Sequence, residues 1–371
     1  MMINSIINAS IRERFLVLIA AVLITMIGFW SYKTIALDAI PDLSDVQVII
    51  FTKFPGQSPQ VVEDQVTYPL TTTMLSVPKS KVVRGYSFFG LSFVFIIFED
   101  GTDMYWARSR VLESLNYVSG DLPFGVTPSL GPDATGVGWV YEYALVDKTG
   151  KYDLAQLRSI QDWYLRYPLQ TVDGVAEVAS VGGYVKQYQV DVNPNALMAY
   201  NIPLSKVKHA IKRSNADVGG RLLEKSETEY MVRSSAYIKS IEELKIIPIG
   251  VGENGTPILL QDVAHVHIGP ELRRGIVDLN GEGEVTGGIV IMRYGENALS
   301  TIKNIRKKLN ELKAGLPDGV EIITVYDRGD LIENAVESLT SSLLQEIVIV
   351  SIIILLFLFH VRSALVVIAV L

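Results

Sequence analysis

The sequence predicts an α+β membrane protein: two ferredoxin-like split β-α-β subdomains, one of them interrupted by an inserted α+β domain, bracketed by transmembrane helices. Three observations predict it. Two long apolar runs flank a charged middle, and that middle alternates strand-like with helix-like stretches. Short motifs from the first part of the middle also return, in order, in the second.

Composition sets the limits. Of 371 residues, 49% are hydrophobic and only 20% charged, so part of the chain should meet lipid. The net charge of -7 lacks the basic footprint of a nucleic-acid binder, so no nucleic-acid partner is expected. There is no cysteine, which excludes disulfide scaffolds, thiolate zinc sites and thiol catalysis. A soft metal ion would have to be held by Met or His.

Residues 1–14 read as an amphipathic cytoplasmic segment. Phe15 to Tyr32 carries no charge, and at about 1.5 Å per residue it nearly crosses a ~30 Å hydrocarbon core. A secretory signal has a shorter apolar region ending at a small-residue cleavage site; this run continues into Tyr32, Lys33 and Thr34, so residues 15–37 read as an uncleaved transmembrane helix. The second apolar run, Leu339 to Phe359, contains one charge, Glu346, and 331–359 reads as a linker followed by a second transmembrane helix. His360, Val361 and Arg362 open a cytoplasmic turn, 360–364. A third apolar run, 365–371, is too short to span a bilayer, so the sequence is expected to stop inside a hairpin of membrane helices. Arg12, Arg14 and Arg362 against Asp38, Asp42 and Asp45 place the amino terminus and the 360–364 turn inside and residues 38–337 outside.

Within the middle, Val46–Phe54 is β-branched and apolar, and Ser58–Ser76 has helical spacing. Val82–Phe98 gives two strands around Gly90. Asp103–Val118 is an amphipathic helix with Met104, Val111, Leu112, Leu115 and Val118 on its stripe, capped by Thr102 or Asp103. The order β-α-β-β-α-β is the ferredoxin-like pattern. Tyr68-Pro69-Leu70 then returns as Tyr167-Pro168-Leu169, in a helix starting near Asp153. Leu122-Pro123-Phe124-Gly125-Val126 returns as Leu316-Pro317-Asp318-Gly319-Val320, after a helix Ala298–Ala314 with stripe Leu299, Ile302, Ile305, Leu309, Leu312. The second copy is the longer, which places an insert at 183–274. The insert should hold strands at Gln187–Val192, Glu229–Ser234 and Ile258–Val266, a helix at Leu204–Arg213 and a hairpin around Gly219-Gly220. It carries no phosphate loop or nucleophile elbow, and a projecting insert suits docking or assembly.

Certain stretches resemble the heavy-metal efflux branch of the resistance-nodulation-division superfamily, the copper/silver type more than the zinc/cobalt/cadmium type. They are Asp42-Leu43-Ser44-Asp45, FEDGTDMYWARSRVLESLN, Gly131–Trp139 (GPDATGVGW), GVAEVASVGG, GPELRRGIVDLNGEGEV and YDRGDLIENA. The similarity runs from Ile11 to Leu371. It implies a first porter subdomain at 38–137, a second at 138–182 with 275–330, and a docking domain at 183–274. It further implies a homotrimer in the bacterial inner membrane, with a periplasmic adaptor and an outer-membrane channel as partners. Proton-driven export of Cu(I) or Ag(I) as transported ion, with no cofactor and no enzymatic activity, follows from the same resemblance. The family's proton-relay carboxylates and metal-holding methionines would lie beyond Leu371. A multidrug pump of the same superfamily is one alternative. A two-span sensory receptor is another, though its second span should lead into a polar helix rather than a new apolar run.

Candidate chemistry is sparse. Met26, Met74, Met104, Met198, Met231 and Met292 are not paired at i+2, i+3 or i+4, so they read as core, gap-filling or lipid-facing residues. His265 and His267 share one strand face at a spacing that can bind zinc or copper, and an ordinary half-exposed strand explains them as well, with Val266 turned inward. Glu346, the one carboxylate within the second membrane run, is a proton-linked candidate, or a residue accommodated near the headgroups. Glu99-Asp100-Gly101-Thr102-Asp103 reads as a turn and cap, and Pro69 and Pro168 as helix kinks or ends.

Overall fold

The computed structural model describes residues 10–35, 38–216, 218–225, 227–234, 237–252 and 255–358, with Val361 and Val366. Most of the amphipathic amino terminus, and the 360–364 turn and 365–371 run apart from those two valines, therefore lie outside the described residues. The chain is a mixed α+β structure and divides into two compact units. One comprises Met1–Thr149, Ile160–Val181 and Gly287–Leu371; the other comprises Gly150–Ser159 and Gly182–Thr286.

The first unit contains a four-stranded antiparallel sheet of Gln47–Lys53, Ser80–Phe88, Leu91–Phe98 and Pro128–Leu130. Its spatial order is second, third, first, fourth in chain sequence. Register explains its buried face: Val48 lies opposite Ile96 and Ile50 opposite Val94, and cross-strand partners point the same way. All four are fully buried, with Phe98. Helical residues 59–74 and Met104–Val118 cover that face with Val62, Val66, Leu70, Met74, Ala107, Val111 and Leu115. Each of these side chains other than Ala107 contributes about 1.5–3 kcal/mol by leaving water. The Asp103 carboxylate accepts the Trp106 amide at 2.7 Å and caps the second helix. Leu112, expected on the buried stripe, is 48% exposed. It follows Val111 by about 100° of helix turn, and Ala107 fills the stripe instead.

A second sheet repeats this arrangement with Trp139–Asp147, Val175–Gly182, Thr286–Met292 and Val320–Asp327. Read from its far edge, its order is again second, third, first, fourth. The helix Ala298–Lys313 buries Ile302, Ile305 and Leu309. Gly174, before the second strand of this sheet, has φ +83° and sits against the Thr301 side chain, where a Cβ has no room.

The two Tyr-Pro-Leu helices do not end at their prolines. Each contains a π-helical turn, Glu63–Thr67 and Gln161–Leu165, and then continues as Tyr68–Met74 and Arg166–Gln170. The Tyr68 amide donates to Glu63 O and the Arg166 amide to Gln161 O, five residues back. Proline has no N–H for the ordinary bond, and the wider turn accommodates that loss.

Among the described residues, two helices are long and apolar enough to cross a membrane, Arg14–Thr34 and Arg328–Leu358. The second starts well before its apolar run. Residues 331–338, read as linker from sequence, are helical because the Asp327 carboxylate accepts the Gly329 amide at 2.8 Å and caps the helix there.

The second unit is built from paired strands. Lys186–Val192 pairs with Ala264–Pro270, Pro248–Val251 with Pro257–Leu259, and Val218–Lys225 with Thr228–Ser234. Val207, Ala210, Leu244, Ile249, Leu260 and Val263 form its core. Two expectations fail here. The hairpin turns between Lys225 and Thr228, while Gly219 lies within a strand where the register shifts, so the glycines mark a bulge rather than the turn. Ile258–Val266 is not one strand: a helical turn, Leu260–Val263, interrupts it, with the Asp262 carboxylate accepting the Leu259 amide at 2.8 Å.

Candidate functional site

The described residues concentrate charge where the apolar helices meet the sheets of the first unit. Arg328 opens the long helix, yet its side chain is only 4% exposed. Its guanidinium donates to Asp38 Oδ2 at 3.2 Å, Val137 O at 2.6 Å and Trp139 O at 2.9 Å. Asp38 follows the first apolar helix, so one cation joins the end of that helix to the start of the other. Three diverging acceptors need a guanidinium fork; an ammonium could not meet them in that geometry.

The two most specific sequence motifs meet beside it. Thr135 donates to Asp42 Oδ2 at 2.7 Å, and Asp42 Oδ1 accepts the Ser44 amide at 3.0 Å. Partial burial works to raise the Asp42 pKa, but these donors, helped by the Arg328 charge, outweigh it and hold the carboxyl below its ordinary value. Asp133 pairs with Arg293 at 2.9 Å, and Arg108 donates to Gly131 O at 2.9 Å. With the Arg328 bond to Val137 O, these contacts tie the 131–138 connection between the two sheets at both ends.

A second cation fixes the flank of the long helix. Arg306 bonds Asp327 at 2.6 Å, Asp330 at 2.6 Å and Glu333 at 3.4 Å, and Lys303 reaches Glu333 at 3.4 Å. The bond to Asp327 drives the guanidinium pKa up, so this charge is permanent at any working pH. On the open face of the first sheet, Arg84, Tyr86, Phe88, Phe93 and Phe95 line an aromatic groove of about 510 Å³.

The sequence candidates fall elsewhere. His265 and His267 stack with ring centroids 5.0 Å apart on the strand Ala264–Pro270, and Asp191 Oδ2 lies 3.7 Å from His267 Nδ1. Among the described residues no three His, Asp or Glu side chains already converge as a metal shell. Glu346 is exposed on the apolar part of its helix. Met74 and Met104 are core residues, whereas Met198 and Met231, expected to fill gaps, are 72% and 78% exposed. Spacing does not single out Arg306; for Arg328 the visible signal is the dense charge of YDRGD immediately ahead of an apolar run.

The comparisons with known proteins agree with one another. The model of the AcrB/AcrD/AcrF family matches residues 6–371. SilA of Salmonella typhimurium is 59% identical over 365 residues, covering 98% of this chain and 35% of that protein. The cation efflux system protein CusA of Escherichia coli (strain K12) is 58% identical over 365 residues, with the same two coverages. A crystal structure of a heavy metal efflux pump superposes with a TM-score of 0.87 at 31% identity, covering 98% of this chain and 36% of that one. The chain therefore spans about a third of the length of the relatives it matches. It belongs to the AcrB/AcrD/AcrF family.

Proposed function

We propose that this chain is the amino-terminal part of a pump that exports heavy-metal cations, Cu(I) and Ag(I), from a bacterial inner membrane in exchange for protons. The observation that carries the proposal is near-complete alignment, 98% of the chain at 58% identity, with a cation efflux protein. The choice of monovalent copper and silver comes from the motifs that resemble the copper/silver type. The two like-ordered sheets are read as ferredoxin-like porter subdomains, 38–137 and 138–182 with 275–330, and the insert 183–274 as a docking domain. Arg328 and Arg306 would make the root of the second membrane helix part of the second porter sheet, so that helix displacement moves the sheet. Assembly as a homotrimer with a periplasmic adaptor and an outer-membrane channel belongs to the same reading, as does Glu346 as a proton-linked candidate.

A chimera tests it. Residues 6–371 would replace the matching third of the Escherichia coli relative in a pump-deleted, metal-sensitive strain. Restored growth on copper and silver, with dye sensitivity unchanged, is the expected result. The aromatic groove on the first sheet favours a second reading, export of amphiphilic organic molecules, and dye resistance without metal resistance would select it.

A further inference from the structure

The paired histidines of the second unit combine a shared strand face, a neighbouring side chain turned aside and a ring nitrogen that strand packing leaves without a partner. Register places Asp191 directly opposite His265 and Gln189 opposite His267, so all four side chains leave the same face of the ladder. Gln189 leans away: its amide donates to Pro270 O at 2.8 Å and lies over Gly269, where no Cβ obstructs it. The space beside His267 is thereby left to His265 and Asp191. The His267 Nδ1 atom is shielded from solvent and has no hydrogen-bond partner among the described residues, a state that costs free energy unless something fills it.

The distance from that nitrogen to Asp191 Oδ2, 3.7 Å, is too long for a hydrogen bond. It suits a shared cation. Two ligand atoms each about 2.0–2.2 Å from a tetrahedral centre stand about 3.4 Å apart, and a small carboxylate rotation closes the difference. The stacked His265 ring, 5.0 Å away centroid to centroid, brings a second imidazole within reach by side-chain rotation. We propose that His265, His267 and Asp191 form an accessible site for a borderline divalent cation, Cu(II) or Zn(II), with water in the remaining coordination. Imidazole and carboxylate favour these ions over the thioether-preferring monovalent ones. The site does not depend on export being the function of the chain.

The test uses the full chain in detergent, freed of metal, with Cu(II) alone as probe. The sequence has four histidines and no cysteine, so nitrogen ligation has few possible sources. Electron paramagnetic resonance at one equivalent should show two coupled imidazole nitrogens. His265→Ala should leave one, with at least about tenfold weaker binding, and Asp191→Asn should weaken binding while keeping both. His209→Ala should change nothing. Circular dichroism checks the fold; His265→Gln, at an exposed position, replaces any variant that unfolds. A wild-type spectrum without nitrogen coupling overturns the proposal, and so does a His265→Ala spectrum unchanged from wild type.

Discussion

One buried guanidinium, that of Arg328, ties the end of the first apolar helix to the start of the second. Replacing Arg328 by Met would leave the Asp38 carboxylate and the Val137 and Trp139 carbonyls without their donor. Breaking a buried pair by removing one partner costs about 3 kcal/mol or more. Arg328→Met should therefore lower the urea midpoint of the detergent-solubilised chain clearly. Arg328→Lys should lie between, since it keeps the charge and loses the fork. Equal midpoints for all three proteins would mean the contacts carry no weight. Asp42, nearby, carries a pH signature. Its folded pKa lies below the ordinary carboxylate value of 3.8, so its contribution is complete above that value and disappears as pH falls through the lowered one. The stability gap between wild type and Asp42→Asn should be flat from neutral pH to about pH 5 and should shrink at more acidic pH. A gap that widens on acidification would contradict the sign.

At the scale of elements, the π-turns are the feature that the sequence hid. Thr67 is buried and shares hydrogen bonds of 2.8 Å with Ser92 and Ser87; in the other copy Tyr143 donates to the buried Gln161 at 2.9 Å. The wider turn directs these polar side chains at the sheet, where they find partners. Thr67→Val should cost on the order of 1–3 kcal/mol by stranding Ser92, read as a shift in denaturant midpoint, and Gln161→Leu should cost a similar amount through the Tyr143 hydroxyl. Repetition of Tyr-Pro-Leu disclosed that two elements correspond, and strand alternation disclosed which faces are buried. Neither could disclose a π-turn, because Pro69 and Pro168 report only a missing donor and not how the helix absorbs it. The hairpin turn was misplaced for a related reason: Gly219-Gly220 signals permissive backbone, and a bulge needs that as much as a turn does. The ion pairs of Arg306 join residues far apart in sequence, and composition and spacing carry no trace of such pairing.

For the whole molecule the controlling claim is sidedness. Both long apolar helices leave their large side chains exposed, Phe15, Leu18 and Ile24 on one and Leu343, Ile349 and Leu356 on the other, and exposed stripes of that extent require lipid or other apolar partners. Arg12 and Arg14 stand before the first helix and three aspartates after it, so the basic side should remain in the cytoplasm. Everything between the helices should then lie on the opposite side. The absence of cysteine makes this directly measurable without a cysteine-free background having to be built. Ser76→Cys, at an exposed position beyond the first helix, should react with a membrane-impermeant maleimide added to spheroplasts of cells expressing the chain. Arg12→Cys should react only after the membrane is opened. The reverse pattern would place the sheets in the cytoplasm. Labelling of both from outside would mean that the first apolar helix does not cross the bilayer at all.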